Sequence, residues 1–161
     1  MDFVDKSVRS RMMAAVRSKN TKSEIEIRRR LFRLGFRYRL HGRDMPGKPD
    51  LIFPRYRAVV FINGCFWHNH DCQFGALPLT RRNWWRSKLE GNRKRDEKVL
   101  SILHEEGWRT LIVWECSFRK ATRNRESVLN DIAGKISRFL CSRQGKAVIS
   151  SYRIRVKMRP A

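Results

Sequence analysis

Asp50-Leu51-Ile52-Phe53 and Ala58-Val59-Val60-Phe61-Ile62 flank Pro54-Arg55-Tyr56-Arg57, and Asn63-Gly64-Cys65-Phe66-Trp67-His68-Asn69-His70-Asp71-Cys72 follows without a break. Two short runs rich in β-branched and aromatic residues, joined by a spacer of turn-forming residues, predict two strands paired as an antiparallel hairpin. The Cys/His cluster is therefore expected immediately after the second strand.

Outward toward the N-terminus, the turn-rich stretch His41 to Pro49 separates this hairpin from Phe36, Tyr38 and Leu40, which alternate with arginines as in a half-buried strand. Before it, Ser23 with Glu26 three residues on reads as a capping box, and Ile27, Leu31 and Leu34 recur at helical spacing until Gly35. Outward toward the C-terminus, Trp85, Leu89, Val99, Leu100 and Leu103 predict a long helix over Trp84 to His104, ended by Gly107. The apolar run Trp108 to Trp114 predicts a strand buried on both faces, ending at Glu115-Cys116 and central in the sheet. Val128, Leu129, Ile132, Ile136, Phe139 and Leu140 predict a last helix. Such alternation means an α/β fold with a central mixed β-sheet flanked by helices. Residues 1–20 read as a basic N-terminal arm that orders on its ligand, 21–142 as the folded domain, and 143–161 as a basic C-terminal tail with a weak alternating stretch at Val148 to Val156.

The 161 residues suit one domain, and 37 Lys and Arg against 15 Asp and Glu give a formal charge of +22. A polyanion is needed to neutralise that excess, and nucleic acid is the expected partner. No segment approaches the ~18 consecutive apolar residues of a spanning helix, and no early apolar run resembles a signal peptide. The protein is expected to be intracellular, with no membrane association.

Cys65, His70 and Cys72 can place one nitrogen and two sulfurs around a zinc, which needs a fourth ligand to close a tetrahedron. Cys116 is the best candidate; His68 competes, and Cys141 is poorer because the helical pattern puts it on an apolar face. Asp50 opens a strand and Glu24 lies on the preceding helix, so two carboxylates could converge on a divalent cation. Alternatively, Asp50 merely caps the turn Pro46-Gly47-Lys48-Pro49. His68 has the natural basicity to take a proton from water near neutral pH. Phe66 and Trp67 are adjacent and cannot both be buried easily, which suggests an exposed wedge that stacks on or inserts between bases. The same question applies to Met13 in the arm and to Trp84, of the pair Trp84-Trp85.

Asn20-Thr21-Lys22-Ser23-Glu24, Pro46-Gly47-Lys48-Pro49-Asp50, Tyr56-Arg57-Ala58-Val59-Val60-Phe61, Gly64-Cys65-Phe66-Trp67-His68 and Gly107-Trp108-Arg109 through Val113-Trp114-Glu115-Cys116 together resemble the motifs of the very short patch repair DNA mismatch endonucleases. The resemblance runs from about Lys6 to Cys116. It implies a restriction-endonuclease-like fold, a structural zinc on Cys65, His70, Cys72 and Cys116, catalytic Mg²⁺, and hydrolysis of one strand beside a T:G mismatch left by deamination of 5-methylcytosine.

By position, the resemblance makes Asp50 the metal-ligating carboxylate, His68 the base, Glu24 an acidic helper at the metal, and the Ile62 backbone carbonyl a further metal ligand. Met13, Phe66 and Trp67 match the residues that such enzymes push into the duplex, and Trp85 is grouped with them as a DNA-facing aromatic. It further implies a bacterial, cytoplasmic monomer, nucleoid-associated when bound to DNA, and coupling to mismatch-repair proteins. One departure stands at the centre of the site. Asn63 occupies a position where many members carry histidine, and an amide can donate a hydrogen bond but cannot shuttle a proton. Asn63 and the charge leave two rivals open: a zinc-stabilised DNA-binding protein that does not cut, and a restriction-type endonuclease with no mismatch dependence.

Overall fold

The computed structural model describes residues 20–40, 42–121 and 124–151, together with Asp5, Ser7, Val8 and Arg11. Met13 and His41 lie outside the described residues, as do most of the basic arm and the end of the tail.

Helix α1 (Lys22–Arg33) is capped two residues earlier than the Ser23 capping box predicts. Thr21 is the cap, its hydroxyl accepting from the Glu24 N–H at 3.3 Å. Ser23 and Glu26 serve a tertiary contact instead: Arg125 donates to the Ser23 hydroxyl and to the Glu26 carboxylate. After the helix, Gly35 takes φ +89° and Phe36 drops into the core, so the alternating stretch yields only the two-residue strand β1 (Arg39–Leu40), exposed on both sides. Tyr38 spends its hydroxyl on the Arg28 carbonyl, at 3.0 Å.

The expected hairpin is present. Strand β2 (Leu51–Phe53) pairs antiparallel with β3 (Ala58–Asn63), Leu51 opposite Val60, across a 3-10 turn at Pro54–Tyr56 closed by Arg57 at φ +46°. Helix α2 (Arg82–Glu105) then crosses back to β4 (Arg109–Trp114), which runs parallel to β3 with Asn63 beside Trp114. The short α3 (Cys116–Arg119) and long α4 (Arg125–Cys141) lead to β5 (Lys146–Ile149), parallel to β4. The sheet order is β1-β2-β3-β4-β5, so β4 is flanked by strands on both sides and β3 is central. Strand β5 lies within the stretch read as a tail: four residues of weak alternation carry little signal, and the exposed edge of β4 is what makes them a strand.

Two apolar layers follow from the period of two along each strand. Leu51, Phe53, Val60, Leu111 and Val113 face α1 and α4 in the main core. Ile52, Val59 and Leu103 of α2 form a smaller cluster on the other face, with Phe61 and Val99 against it. Arg109 closes the base of the sheet: its guanidinium donates to the carbonyls of Tyr56, Phe139, Leu140 and Ser142. Among the described residues no helix is long and apolar enough to cross a membrane.

Candidate active site and metal centre

The residues expected to be catalytic gather at the end of the sheet where β2 begins and β3 ends. Asp50 is half-buried one residue before β2, and its Oδ2 accepts the Ile62 N–H at 2.7 Å. The aspartate therefore replaces a rung of the β2–β3 ladder instead of simply capping the preceding turn. The Asn63 carbonyl accepts from the Glu115 N–H at 2.9 Å, on the β4 side. Alternation along the strand then turns the Ile62 carbonyl toward β2, the side that Asp50 occupies. One carboxylate and one main-chain carbonyl are thus presented together. Burial raises the Asp50 carboxyl to about 6, against the pull of the Ile62 N–H, and the nearby Glu24 carboxylate pushes it the same way.

Glu24 is buried, but it is held. Its Oε1 accepts from the Thr21 hydroxyl at 2.9 Å, and its Oε2 from the Asn20 N–H at 2.9 Å and from Arg28 Nη2 at 3.0 Å. Arg28 also donates to the Asn20 side chain at 2.7 Å. This cluster fixes the start of α1 next to Asp50 and leaves Glu24 with little spare hydrogen-bonding capacity.

His68 lies in the turn after β3, its Nδ1 2.6 Å from Asp96 Oδ2 on α2. With Nδ1 donating to that carboxylate, Nε2 carries the lone pair and is the nitrogen able to take a proton. Asn63, His68 and Asp96 line one cleft with Gly47, Phe61 and Val99. Asp96 gave no signal in the sequence, being one of many charges on a solvent-washed helix. Only the return of α2 over the loop makes it the partner of His68.

Phe66, Trp67 and Trp85 form an aromatic cluster beside this cleft, with ring centroids 5.1 Å (Phe66–Trp67) and 5.0 Å (Phe66–Trp85) apart. All three are part-exposed, and Trp84, 4.8 Å from Trp85, is 57% exposed. The Trp67 carbonyl is tied to Asn92 of α2 at 2.9 Å.

The metal-ligand cluster sits behind the loop. One ligand atom each from Cys65, His70, Cys72 and Cys116 lies within 4.8 Å of the others, the one such group among the described residues. Bonds of ~2.3 Å to sulfur and ~2.0 Å to nitrogen put tetrahedral ligands ~3.5–3.8 Å apart, and Cys116 Sγ lies 3.8 Å from His70 Nδ1. The donor set and spacing fit a metal ion. Gly75 is needed here, because a Cβ would fall 2.0 Å from the His70 carbonyl oxygen. Burial pushes the Cys65 thiol up and lowers the His70 imidazole, keeping the latter a neutral donor. Of the sequence alternatives for the fourth ligand, His68 is engaged by Asp96, and Cys141 is exposed, not on the apolar side of its helix. Ser150, from the stretch read as tail, lies 3.4 Å from both Cys116 Sγ and His70 Nε2 and braces the imidazole. Trp114 stacks on His70 at 4.1 Å.

Asp50, Asn63, His68 and Asp96 are thus gathered at one end of the sheet, beside part-exposed aromatic rings. Residues 1–74 match the family described as DNA mismatch endonuclease Vsr. The chain is 35% identical over 150 residues to the DNA mismatch endonuclease Vsr of Escherichia coli (strain K12), covering 93% of this chain and 94% of that protein. It is 49% identical over 105 residues to the type II nicking enzyme V.XorIIP of Xanthomonas oryzae pv. oryzae, covering 65% and 77%. Against the type II nicking enzyme V.NmeAIP of Neisseria meningitidis the figures are 39% identity over 125 residues, 78% and 89%. The chain belongs to the Vsr family of DNA mismatch endonucleases.

Proposed function

We propose that the protein nicks one strand of duplex DNA beside a T:G mismatch, using Mg²⁺ at Asp50 and a structural zinc on Cys65, His70, Cys72 and Cys116, in a restriction-endonuclease-like fold. Family membership makes it a DNA-nicking hydrolase. The observation that carries the finer reading is the convergence of Asp50, the Ile62 carbonyl and the Asp96-bound His68 on one end of the sheet, next to three part-exposed aromatic rings.

Asp50 and the Ile62 carbonyl offer two hard oxygen donors, which suit Mg²⁺ and not the soft cluster behind the loop. When bound there, Mg²⁺ supplies positive charge for the phosphate oxygens during in-line displacement. His68 Nε2 accepts the proton of the attacking water, and Asp96 stabilises the imidazolium that results. Asn63 donates a hydrogen bond toward the phosphate but moves no proton, so one histidine carries the base chemistry. Glu24 would hold water beside the bound cation through its remaining lone pair. The P–O3′ bond breaks, so the upstream fragment ends in a 3′-hydroxyl and the phosphate stays on the 5′ carbon of the downstream fragment.

The loop that presents His68 also presents Phe66 and Trp67, and Asn92 and Trp85 of α2 brace it from outside. We assign Phe66, Trp67, Trp85 and the arm residue Met13 to insertion beside the mismatch. Unstacking costs a few kcal/mol per step, and a weak T:G pair lowers that cost selectively. On this reading the protein acts as a monomer, since one chain carries every group the reaction uses, and family membership is what suggests the bacterial cytoplasm.

The test incubates zinc-loaded protein with end-labelled duplexes carrying T:G or T:A in one cytosine-methylation-like site, with and without Mg²⁺. Nicking next to the T of T:G that requires Mg²⁺ is expected. Equal cutting of T:A would establish the restriction-type reading, and tight binding with no product would establish the non-cutting one.

A further inference from the structure

Helix α2 has two working faces, offset by one residue. Trp85, Leu89, Asn92, Asp96 and Val99 point inward: Leu89 is buried, Trp85 packs on Phe66, Asn92 holds the Trp67 carbonyl and Asp96 holds His68. Each is preceded by an exposed residue, giving the parallel row Trp84, Lys88, Gly91, Arg95 and Lys98 about 100° further round the axis. That row carries three cations and no acid. The acidic residues Glu90 and Glu97 lie on the other flank, where Glu97 pairs with Arg93 at 3.1 Å.

Two further observations mark this row. Gly91 sits in mid-helix, where glycine is unfavourable, yet a Cβ there would meet nothing within 4 Å. Packing does not require it; close approach of something from outside would. Arg95 donates to Asn92 Oδ1 at 3.2 Å, and Asn92 donates in turn to Trp67. The cationic row is therefore wired to the aromatic loop through one side chain.

We infer that the row Trp84, Lys88, Gly91, Arg95 and Lys98 grips the sugar-phosphate backbone of duplex DNA alongside the inserted rings. Lys88, Arg95 and Lys98 are spaced seven and three residues apart, so their charges lie along ~15 Å of helix, long enough for each to reach a different phosphate of one strand. Gly91 lets the strand approach between them. The grip and the wedge are then built on adjacent faces of a single rigid helix, which fixes where the backbone lies relative to His68.

The inference rests on DNA being the substrate, and binding is measured without added Mg²⁺ so that loss of grip is read apart from loss of cleavage. Affinity for a fluorescent T:G duplex is followed against salt for zinc-loaded wild type, Lys88→Ala/Arg95→Ala/Lys98→Ala, and the control Arg29→Ala/Arg33→Ala/Arg138→Ala on the opposite face. All six side chains are exposed, and zinc content and far-UV dichroism verify each fold. Losing three phosphate contacts should lower the slope of log affinity against log salt by about 2.7, at ~0.9 per contact. The control should keep the wild-type slope, and the T:G over T:A preference should survive in both. Gly91→Gln, which adds bulk without charge, should weaken binding at every salt concentration and leave the slope alone. A wild-type slope in the α2 triple variant, or an equal fall in the control, overturns the proposal. A protein that binds with the expected slopes but never nicks would refute the catalytic reading and leave this surface standing.

Discussion

Replacing Asp50 with asparagine should abolish nicking and at the same time make the protein more stable. The Asp50 carboxyl titrates at about 6 in the fold against 3.8 for an ordinary aspartate, chiefly because it is buried, with Glu24 nearby. At ~1.36 kcal/mol per pH unit, holding that carboxylate ionised costs the folded state about 3 kcal/mol at pH 8. Relaxation of the variant recovers part of this, so a gain of about 1–3 kcal/mol is expected for Asp50→Asn. The amide oxygen can still accept the Ile62 N–H, which keeps the loss on the other side small. The pH dependence makes the prediction specific. Between roughly pH 4 and 6 the folded protein holds a proton that the unfolded chain has released, so wild-type stability falls as pH rises through that window and levels off above it. Asparagine has no proton to lose. Urea unfolding of zinc-loaded, magnesium-free protein should therefore show the variant ahead at pH 8 and level with wild type at pH 4. Equal stability at pH 8, or a difference that does not change with pH, would refute the account of Asp50 as a buried carboxylate waiting for a cation.

Three other outcomes are expected. Asp96→Asn should leave DNA affinity near wild type and cut the single-turnover nicking rate by 10- to 1000-fold, of order with general-base losses, because His68 is no longer held in the tautomer that frees Nε2; a rate within twofold of wild type would remove Asp96 from the mechanism. Cys116→Ser should lower bound zinc well below one per chain and reduce the melting temperature, whereas Cys141→Ser, at an exposed thiol, should change neither, as metal analysis and calorimetry can show. Arg109→Met should destabilise the fold by about 3 kcal/mol or more by stranding the carbonyls at the end of α4, with wild-type nicking per folded molecule; a denaturant midpoint near wild type would contradict that.

Much of the molecule is local in origin and was legible from order alone. The β2–β3 hairpin needs only two short apolar runs and a four-residue spacer, and α2 and α4 declare themselves by apolar residues at helical spacing. The candidate metal cluster is legible for a similar reason: three of its residues lie within eight positions, and the fourth follows shortly after the apolar run of β4. Chemistry of that kind is written in residue type and separation, which a linear chain carries whole.

What the tertiary structure alone decided are pairings between distant segments whose members look ordinary in sequence. Asp96 is one of four acids on α2, and nothing but the crossover of that helix brings it 2.6 Å from His68. Glu26 is the expected acid of a local capping box, yet Arg125 claims it across 99 residues and the cap passes to Thr21. Ser150 follows a weak run in a basic tail, and becomes a brace for Cys116 and His70 because β4 offers an open edge for β5. Local propensity ranks the conformations of a segment within about a kilocalorie per residue, whereas burial and unsatisfied hydrogen-bonding groups at a shared interface outweigh it once the sheet assembles.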